Sequence, residues 1–292
     1  MTDLFLKYLQ YEKRYSHHTI LSYKTDLDQF QHFLIAQYPE TAIAEANHAI
    51  IRDWIISLSQ SSLSENSINR KLVSLRSFYK FLQKKGEIAK NPTARLTNLK
   101  TKKSLPHFVR EGDLNQVLDQ PLEVHAFAQC RDLLVVEILY GTGMRLSELI
   151  SLKISDIDLT TTTLKVLGKR NKERLIPISR TLANLIQNYI FIKNQDAIGN
   201  GNPYLIVTNK GEQSYAMMIN RIVKKTLQAA SVDKKSPHIL RHTYATHLLE
   251  RGADLNAVKD LLGHQSLAAT QVYTHNSLGK LKKVFDQAHP KA

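Results

Sequence analysis

Cysteine is all but absent from the chain. Cys130 is the only one, so an internal disulfide cannot form, a zinc cluster is not expected, and its apolar helical surroundings read as packing. Long hydrophobic runs are missing too: none reaches the roughly 20 residues that a bilayer-spanning helix needs. The first residues, MTDLFLKYLQYEKRY, are amphipathic and carry acids early, unlike a signal peptide. A cytoplasmic chain without a membrane partner is expected. Acidic residues are scarce, 26 against 40 lysines and arginines, which gives a formal net charge of +14. Residues 1–103 carry 16 basic and 9 acidic side chains and residues 104–292 carry 24 and 17, so both parts are basic, as a polyanion touching each would require. A basic tail alone would place the excess at one end.

What is present divides into two regions. Residues 1–98 read as helices only. Leu4, Leu6 and Leu9 lie in a first helix, TILSYKTDLDQFQHFLIAQY follows a break flanked by Ser16 and Thr19, and a third helix covers about His48 to Ser59. In the fourth, Ile68, Leu72, Leu75, Tyr79 and Leu82 make one apolar stripe, and Arg76, Lys80 and Lys84 fall four apart beside it. Such a row is usually a solvated face; in so basic a chain we read it as following a phosphate backbone. Asn91-Pro92 ends the region, and residues 99–108, LKTKKSLPHF, form a basic connector.

The second region, 109–292, opens with helices, including the strongly apolar AFAQCRDLLVVEILYGTG, expected to stop at Gly141 and Gly143. Arg145 then begins a helix whose unpaired N–H groups favour an anion, with Glu148 on the same face to fix its fork. Short β segments at 155–159, 163–167 and 174–178 follow; the last two form a hairpin with GKRNKE at its tip, where Lys169 and Lys172 read as exposed edge lysines. A later helix, Met217–Ala230, carries Arg221, Lys224 and Lys225 on its polar side, a row that suits the major groove or phosphates and equally a solvated face. The tail has Leu278, Leu281, Val284 and Phe285 along one side, a stripe that must be buried somewhere. The fold class is mainly α with a small β-sheet in the second domain.

The densest reactive stretch is SPHILRHTYATHLLERGADLNAVKDLLGHQSLAATQVYTH, residues 236–275. Ser236 and Pro237 start a helix that runs to Arg251, with Gly252 beyond it. His238 and Arg241 share a face of its first turn. Asp254 caps a second helix that Gly263 stops, which leaves His264 just past the stop, and Ser266 caps a third that carries Tyr273. Arg offers a rigid fork to phosphate oxygens and His a proton or a hydrogen bond. Taken alone, each residue reads more simply as a surface pair or a packing tyrosine. The joint pattern H-x-x-R, then G-H, then Tyr nine residues on, is the stronger signal.

HILRH, LLGHQ and QVYTH, together with GTGMRLSEL at 141–149 and VLGKRNKERLIPI at 166–178, resemble the tyrosine recombinases, most closely the bacterial Xer type, over nearly the whole chain. The resemblance implies a two-domain, C-shaped clamp on double-stranded DNA, whose N-terminal helical bundle closes over one side of the duplex. It implies strand exchange through a 3′-phosphotyrosyl intermediate without metal or cofactor, with Tyr273 as nucleophile, Arg145, Arg241 and His264 around the phosphate, His238 as the base and Lys169 as the general acid. It also implies a four-subunit synaptic complex with copies of itself or a paralogous recombinase, a terminal helix docked on a neighbour, resolution of chromosome dimers, and control by an FtsK-type DNA translocase. The sequence departs from the family in having Arg170 where Gly is usual after Lys169, and LAATQ where LSTTQ is common. A mobile-element integrase or resolvase, a type IB topoisomerase and a non-catalytic DNA-binding protein are the competing readings.

Overall fold

The structure is a computed structural model that describes residues 1–101, 108–118, 127–168, 173–232, 234–263 and 284–288. It divides into two compact units, Met1–Ser104 and Leu105–Ala292.

The first unit is helical. α1 (Thr2–Lys7) runs into a π-helical turn, Tyr8–Glu12, and α2 (His17–Gln37), α3 (His48–Gln60) and α4 (Glu65–Lys84) follow. Each long helix starts where a short polar side chain accepts the N–H three residues on: Ser16 from Thr19, Asn47 from Ile50 and Ser64 from Ser67. The expected stripe on α4, from Ile68 to Leu82, is buried. Part of it closes a core in which Phe30 lies 4.9 Å from Trp54 and Phe5 meets Phe78 edge-on at 5.4 Å.

Two polar features also tie this unit together. Asp26, 0 % exposed, accepts both Nη groups of Arg70 at 2.6 and 2.7 Å, Nζ of Lys71 at 3.1 Å and Oγ of Ser74 at 2.7 Å. Lys71 is itself buried and also donates to Gln29. The chain after α4 is then sewn back along it. Asn69 exchanges two hydrogen bonds with Leu99, and Arg76 donates to the Leu96 carbonyl and to Asn98, both at 2.7 Å. Arg76 therefore ties its own unit together, whereas Lys80 and Lys84 in the same row are exposed.

In the second unit α5 (Glu111–Leu118) precedes α6 (Phe127–Thr142), which packs against three later helices, α8 (Arg180–Gln195), α9 (Ala216–Thr226) and α10 (Pro237–Glu250). α6 is buried nearly all round, as its apolar sequence demands. It does not stop at Gly141, which lies inside its last turn; the break comes at Gly143, with φ +58°. A Cβ on Gly143 would sit 2.5 Å from Tyr244 Cδ1 and 2.8 Å from Leu262 Cδ2, so glycine is required there by both conformation and space.

After α7 (Leu146–Ser151) the chain forms an antiparallel sheet in the order β1 (Ile157–Asp158), β2 (Thr163–Leu167), β3 (Glu173–Pro177). β1 begins later than expected because residues 154–156 form a 3-10 turn. The register pairs Leu164 with Ile176 and Val166 with Arg174. The hairpin tip with Lys169 lies outside the described residues. α11 (Leu255–Leu262) is capped by Asp254, which accepts from Asn256 and Ala257, and ends at Gly263 in the left-handed region. α10 begins at Pro237 as expected, though the Ser236 side chain makes no cap hydrogen bond. Residues 284–288 are helical, and Phe285 and Ala288 are buried within this chain. Among the described residues no helix is long and apolar enough to cross a membrane.

Asp26→Ala leaves the buried Lys71 ammonium without its carboxylate and is expected to destabilise the first unit by about 3–5 kcal/mol. Arg70→Ala, at a side chain half exposed, is expected to cost far less. Denaturant titration followed by fluorescence of Trp54, the only tryptophan and a core residue of that unit, measures both. Gly143→Ala is expected to lower the stability of the second unit by at least about 2 kcal/mol. Circular dichroism should show that loss while the Trp54 transition stays in place.

Candidate active site

Three arginines from three different elements converge on the end of α11. A helix leaves its last carbonyls without intrahelical partners and carries partial negative charge there. Here Arg174 Nε donates to Leu261 O at 3.2 Å, Arg241 Nη2 to Leu262 O at 2.7 Å, and Arg145 Nη2 to Gly263 O at 3.0 Å. Successive carbonyls are thus each held by a different guanidinium. Arg241, in the second turn of α10, also donates through Nη1 to Gly143 O at 2.5 Å, so the left-handed turn after α6 serves as its second anchor.

Glu148 is the carboxylate of this cluster. Its side chain is 2 % exposed, and its two oxygens accept four hydrogen bonds. Arg174 supplies two through its Nη groups at 2.7 and 2.8 Å; Arg145 supplies the others through its backbone N at 2.7 Å and Nη1 at 2.8 Å. The backbone bond narrows one expectation. Of the N–H groups at the start of α7 read from sequence as open to an anion, that of Arg145 is already taken by Glu148, in half of a capping box. The anion-attracting element is the set of guanidiniums, and α7 contributes the carboxylate that orients one of them.

Burial pushes the Glu148 carboxyl upward, yet hydrogen bonding and charge from Arg174, with the Arg145 bonds behind them, hold it below the ordinary carboxylate range. Burial brings the Arg241 guanidinium down to about 10, helped by the neighbouring charge of Arg145 and, more weakly, of Arg174, while Glu148 opposes. Arg241 therefore stays charged at neutral pH. Three guanidiniums against one carboxylate leave two positive charges uncompensated among these residues. An anion with two or more oxygens suits such a place.

The structure thus brings together Arg145, Arg241 and Glu148 of the residues singled out from sequence. His238 lies three residues before Arg241 on the first turn of α10 and is exposed. Lys169, His264 and Tyr273 lie outside the described residues; His264 is the residue that follows Gly263. Arg221, Lys224 and Lys225 are exposed on α9. Arg174 was missed. Its signal was a period of two: in ERLIPI it shares a face with Ile176, so it points inward, where an arginine needs a partner.

Comparison with known proteins identifies the family. Residues 107–279 match the Phage integrase family and residues 2–86 match the Phage integrase, N-terminal SAM-like domain. The chain is 38 % identical to the tyrosine recombinase XerC of Staphylococcus saprophyticus, over 99 % of this chain and 96 % of the relative. It is 37 % identical to the tyrosine recombinase XerC of Pelobacter propionicus, over 99 % and 94 %. Among solved structures it shares its fold with the XerH site-specific recombinase bound to a palindromic difH substrate, at TM-score 0.71, 21 % identity, and 97 % and 83 % coverage. It shares it also with the Tn1549 transposon integrase in complex with transposon right end DNA, at TM-score 0.71, 19 % identity, and 97 % and 98 % coverage. The chain belongs to the phage integrase family and is a tyrosine recombinase of the Xer type, a site-specific DNA recombinase.

Proposed function

We propose that the arginine cluster holds the scissile phosphate of a duplex recombination site while Tyr273 cuts the strand. The Tyr273 hydroxyl attacks phosphorus, the P–O5′ bond breaks, and the strand is left joined to the tyrosine through its 3′-phosphate. An unperturbed phenol titrates near ~10, so only about one molecule in a thousand is phenolate at neutral pH. The proton must leave during attack, and His238, exposed on the first turn of α10, is assigned as its acceptor. The departing O5′ takes a proton from Lys169. A free 5′-hydroxyl of the partner strand then attacks the phosphotyrosine, releases the phenol and completes the exchange with no net loss of phosphodiester bonds.

Charge accumulates on the phosphorane oxygens, where Arg145 and Arg241 act as clamps and His264 as a hydrogen-bond donor. Removing one preorganised donor of this kind typically costs about 3–4 kcal/mol. The observation that carries this reading is the convergence of Arg145 and Arg241 on the carbonyls directly before His264, with net positive charge left over. Each guanidinium has five N–H groups, and the bonds described for these two engage two N–H groups on each.

In the cell this reading assigns the protein to the cytoplasm, acting on chromosomal DNA. Four subunits, identical or shared with a paralogous recombinase, would assemble on two sites to resolve chromosome dimers, with an FtsK-type DNA translocase as activator. The exposed Lys80 and Lys84 of α4 and Arg221, Lys224 and Lys225 of α9 supply backbone contacts.

The test uses a nicked suicide duplex carrying the genomic segment that the protein protects from nuclease. The wild-type chain is expected to leave an SDS-resistant protein–DNA adduct. Tyr273→Phe should bind the same duplex and leave none; an undiminished adduct would reject the assignment. Relaxation of supercoiled DNA without that segment would favour a topoisomerase instead. Binding to the duplex is expected to weaken by about 0.9 log unit per neutralised phosphate for each tenfold rise in salt, and a flat profile would exclude contact through phosphates.

A further inference from the structure

Arg174 has no role in the chemistry described so far, yet its surroundings are not those of a packing residue. It stands on the inward face of β3, opposite Val166 and two residues before the buried Ile176, with only 5 % of its side chain exposed. An apolar side chain would fill that position without the several kcal/mol that desolvating a charge costs. The guanidinium instead makes three bonds to two elements: both Nη groups to the two oxygens of Glu148, and Nε to Leu261 O. Glu148 in turn holds Arg145 by its backbone N and by Nη1. Gly263 lies against the same side chain, since a Cβ there would come within 3.2 Å of Arg174 Cδ. Arg174 is therefore a strut between the carboxylate that orients Arg145 and the helix end that leads directly to His264.

We propose that Arg174 is a positioning residue for strand cleavage, fixing Glu148, and through it the Arg145 fork, against the end of α11. The proposal rests on the reading of this cluster as the cleavage site. Arg174 touches neither DNA nor the reacting atoms; it acts by holding two groups at once. Lysine cannot replace it, because one ammonium cannot bridge both carboxylate oxygens and the Leu261 carbonyl in the same plane.

The test compares the full-length wild-type chain with Arg174→Gln, Arg174→Lys and the double variant Arg174→Gln/Glu148→Gln on the same nicked duplex. Affinity and single-turnover cleavage are measured separately from about pH 5.5 to about pH 8.5. Arg174→Gln is expected to bind within about threefold of wild type and to cleave about 10- to 100-fold more slowly, as loss of an outer-shell partner does elsewhere. The charged groups facing Glu148 are Arg145 at the start of α7, Arg174 from β3 and Arg241 from α10. Without Arg174, burial acts on Glu148 with less opposition, so its carboxyl titrates higher. Cleavage by Arg174→Gln should then fall further than that of wild type as the pH is lowered and recover as it is raised, through an added limb that the double variant lacks.

A variant that cleaves at the wild-type rate overturns the proposal. So does one that loses binding and cleavage together with no new pH limb, because that is the signature of general structural damage. Should Arg174→Gln fail to fold, by its circular dichroism melt, Arg174→Lys decides: slowed cleavage with affinity kept supports the strut, and unchanged cleavage overturns it. No adduct from wild type would remove the underlying reading and this proposal with it, whereas a wild-type adduct beside undisturbed Arg174 variants sinks this proposal alone.

Discussion

The second unit is built on a contact that electrostatics alone would discourage: three guanidiniums gathered at one buried point with a single carboxylate. Their mutual repulsion is visible in Arg241, brought down to about 10 by burial and by its arginine neighbours. What makes the gathering tolerable is the end of α11. Its terminal carbonyls need donors and its dipole is negative there, so the helix end acts as a second partner beside Glu148. The balance still leaves positive charge over. A site whose donors are already assembled need not reorganise when negative charge develops on a bound group, which is the source of most catalytic benefit in preorganised centres.

The remainder of this unit can be understood as what keeps that point in place. α6 is buried nearly all round because α8, α9 and α10 cover it, and its C-terminal turn delivers Gly143 to Tyr244 and Leu262 at distances no side chain would permit. That closeness lets the Gly143 carbonyl reach Arg241. α7 is short, and its first turn is closed by Glu148 bonding back to the Arg145 backbone, so one carboxylate both starts the helix and aims the arginine. The sheet contributes Arg174 from a register fixed by the alternation of Leu164, Val166 and Ile176 toward the core.

Much of this was legible in the sequence, for identifiable reasons. The boundaries of α10 and α11 follow from Pro237, Asp254 and Gly263, whose preferences are local and strong. Arg145 and Arg241 stood out because they belong to an extended joint pattern of reactive side chains. The features that were missed depend on partners distant in sequence. Strand alternation alone puts Arg174 on the face of Ile176, but Glu148 and Leu261, which give it a role there, lie far from it in the chain. Asp26 looks like one more polar position of α2 until Arg70, Lys71 and Ser74 arrive from α4. Arg76 was grouped with Lys80 and Lys84 by spacing alone, and spacing does not show that Leu96 and Asn98 return to meet it. Gly141 and Gly143 look equivalent as helix breakers, but only the second sits where the neighbouring helices leave no room for a Cβ.

The two arginines that face the proposed phosphate are held differently, and the difference bears on what each contributes. Arg241, 8 % exposed, is fixed at both Nη groups by backbone carbonyls, Gly143 on one side and Leu262 on the other. Backbone carbonyls carry only partial negative charge, so they set its direction while cancelling less of its field than a carboxylate would. Arg145, with a third of its side chain exposed, is held by a carboxylate that does cancel part of its charge, and by the Gly263 carbonyl. Arg241 therefore carries the stronger uncompensated field and Arg145 the better access to solvent and to an incoming strand. Only a planar, always-charged group can meet two fixed acceptors and still present further donors in the same plane, which is why lysine would serve at neither position.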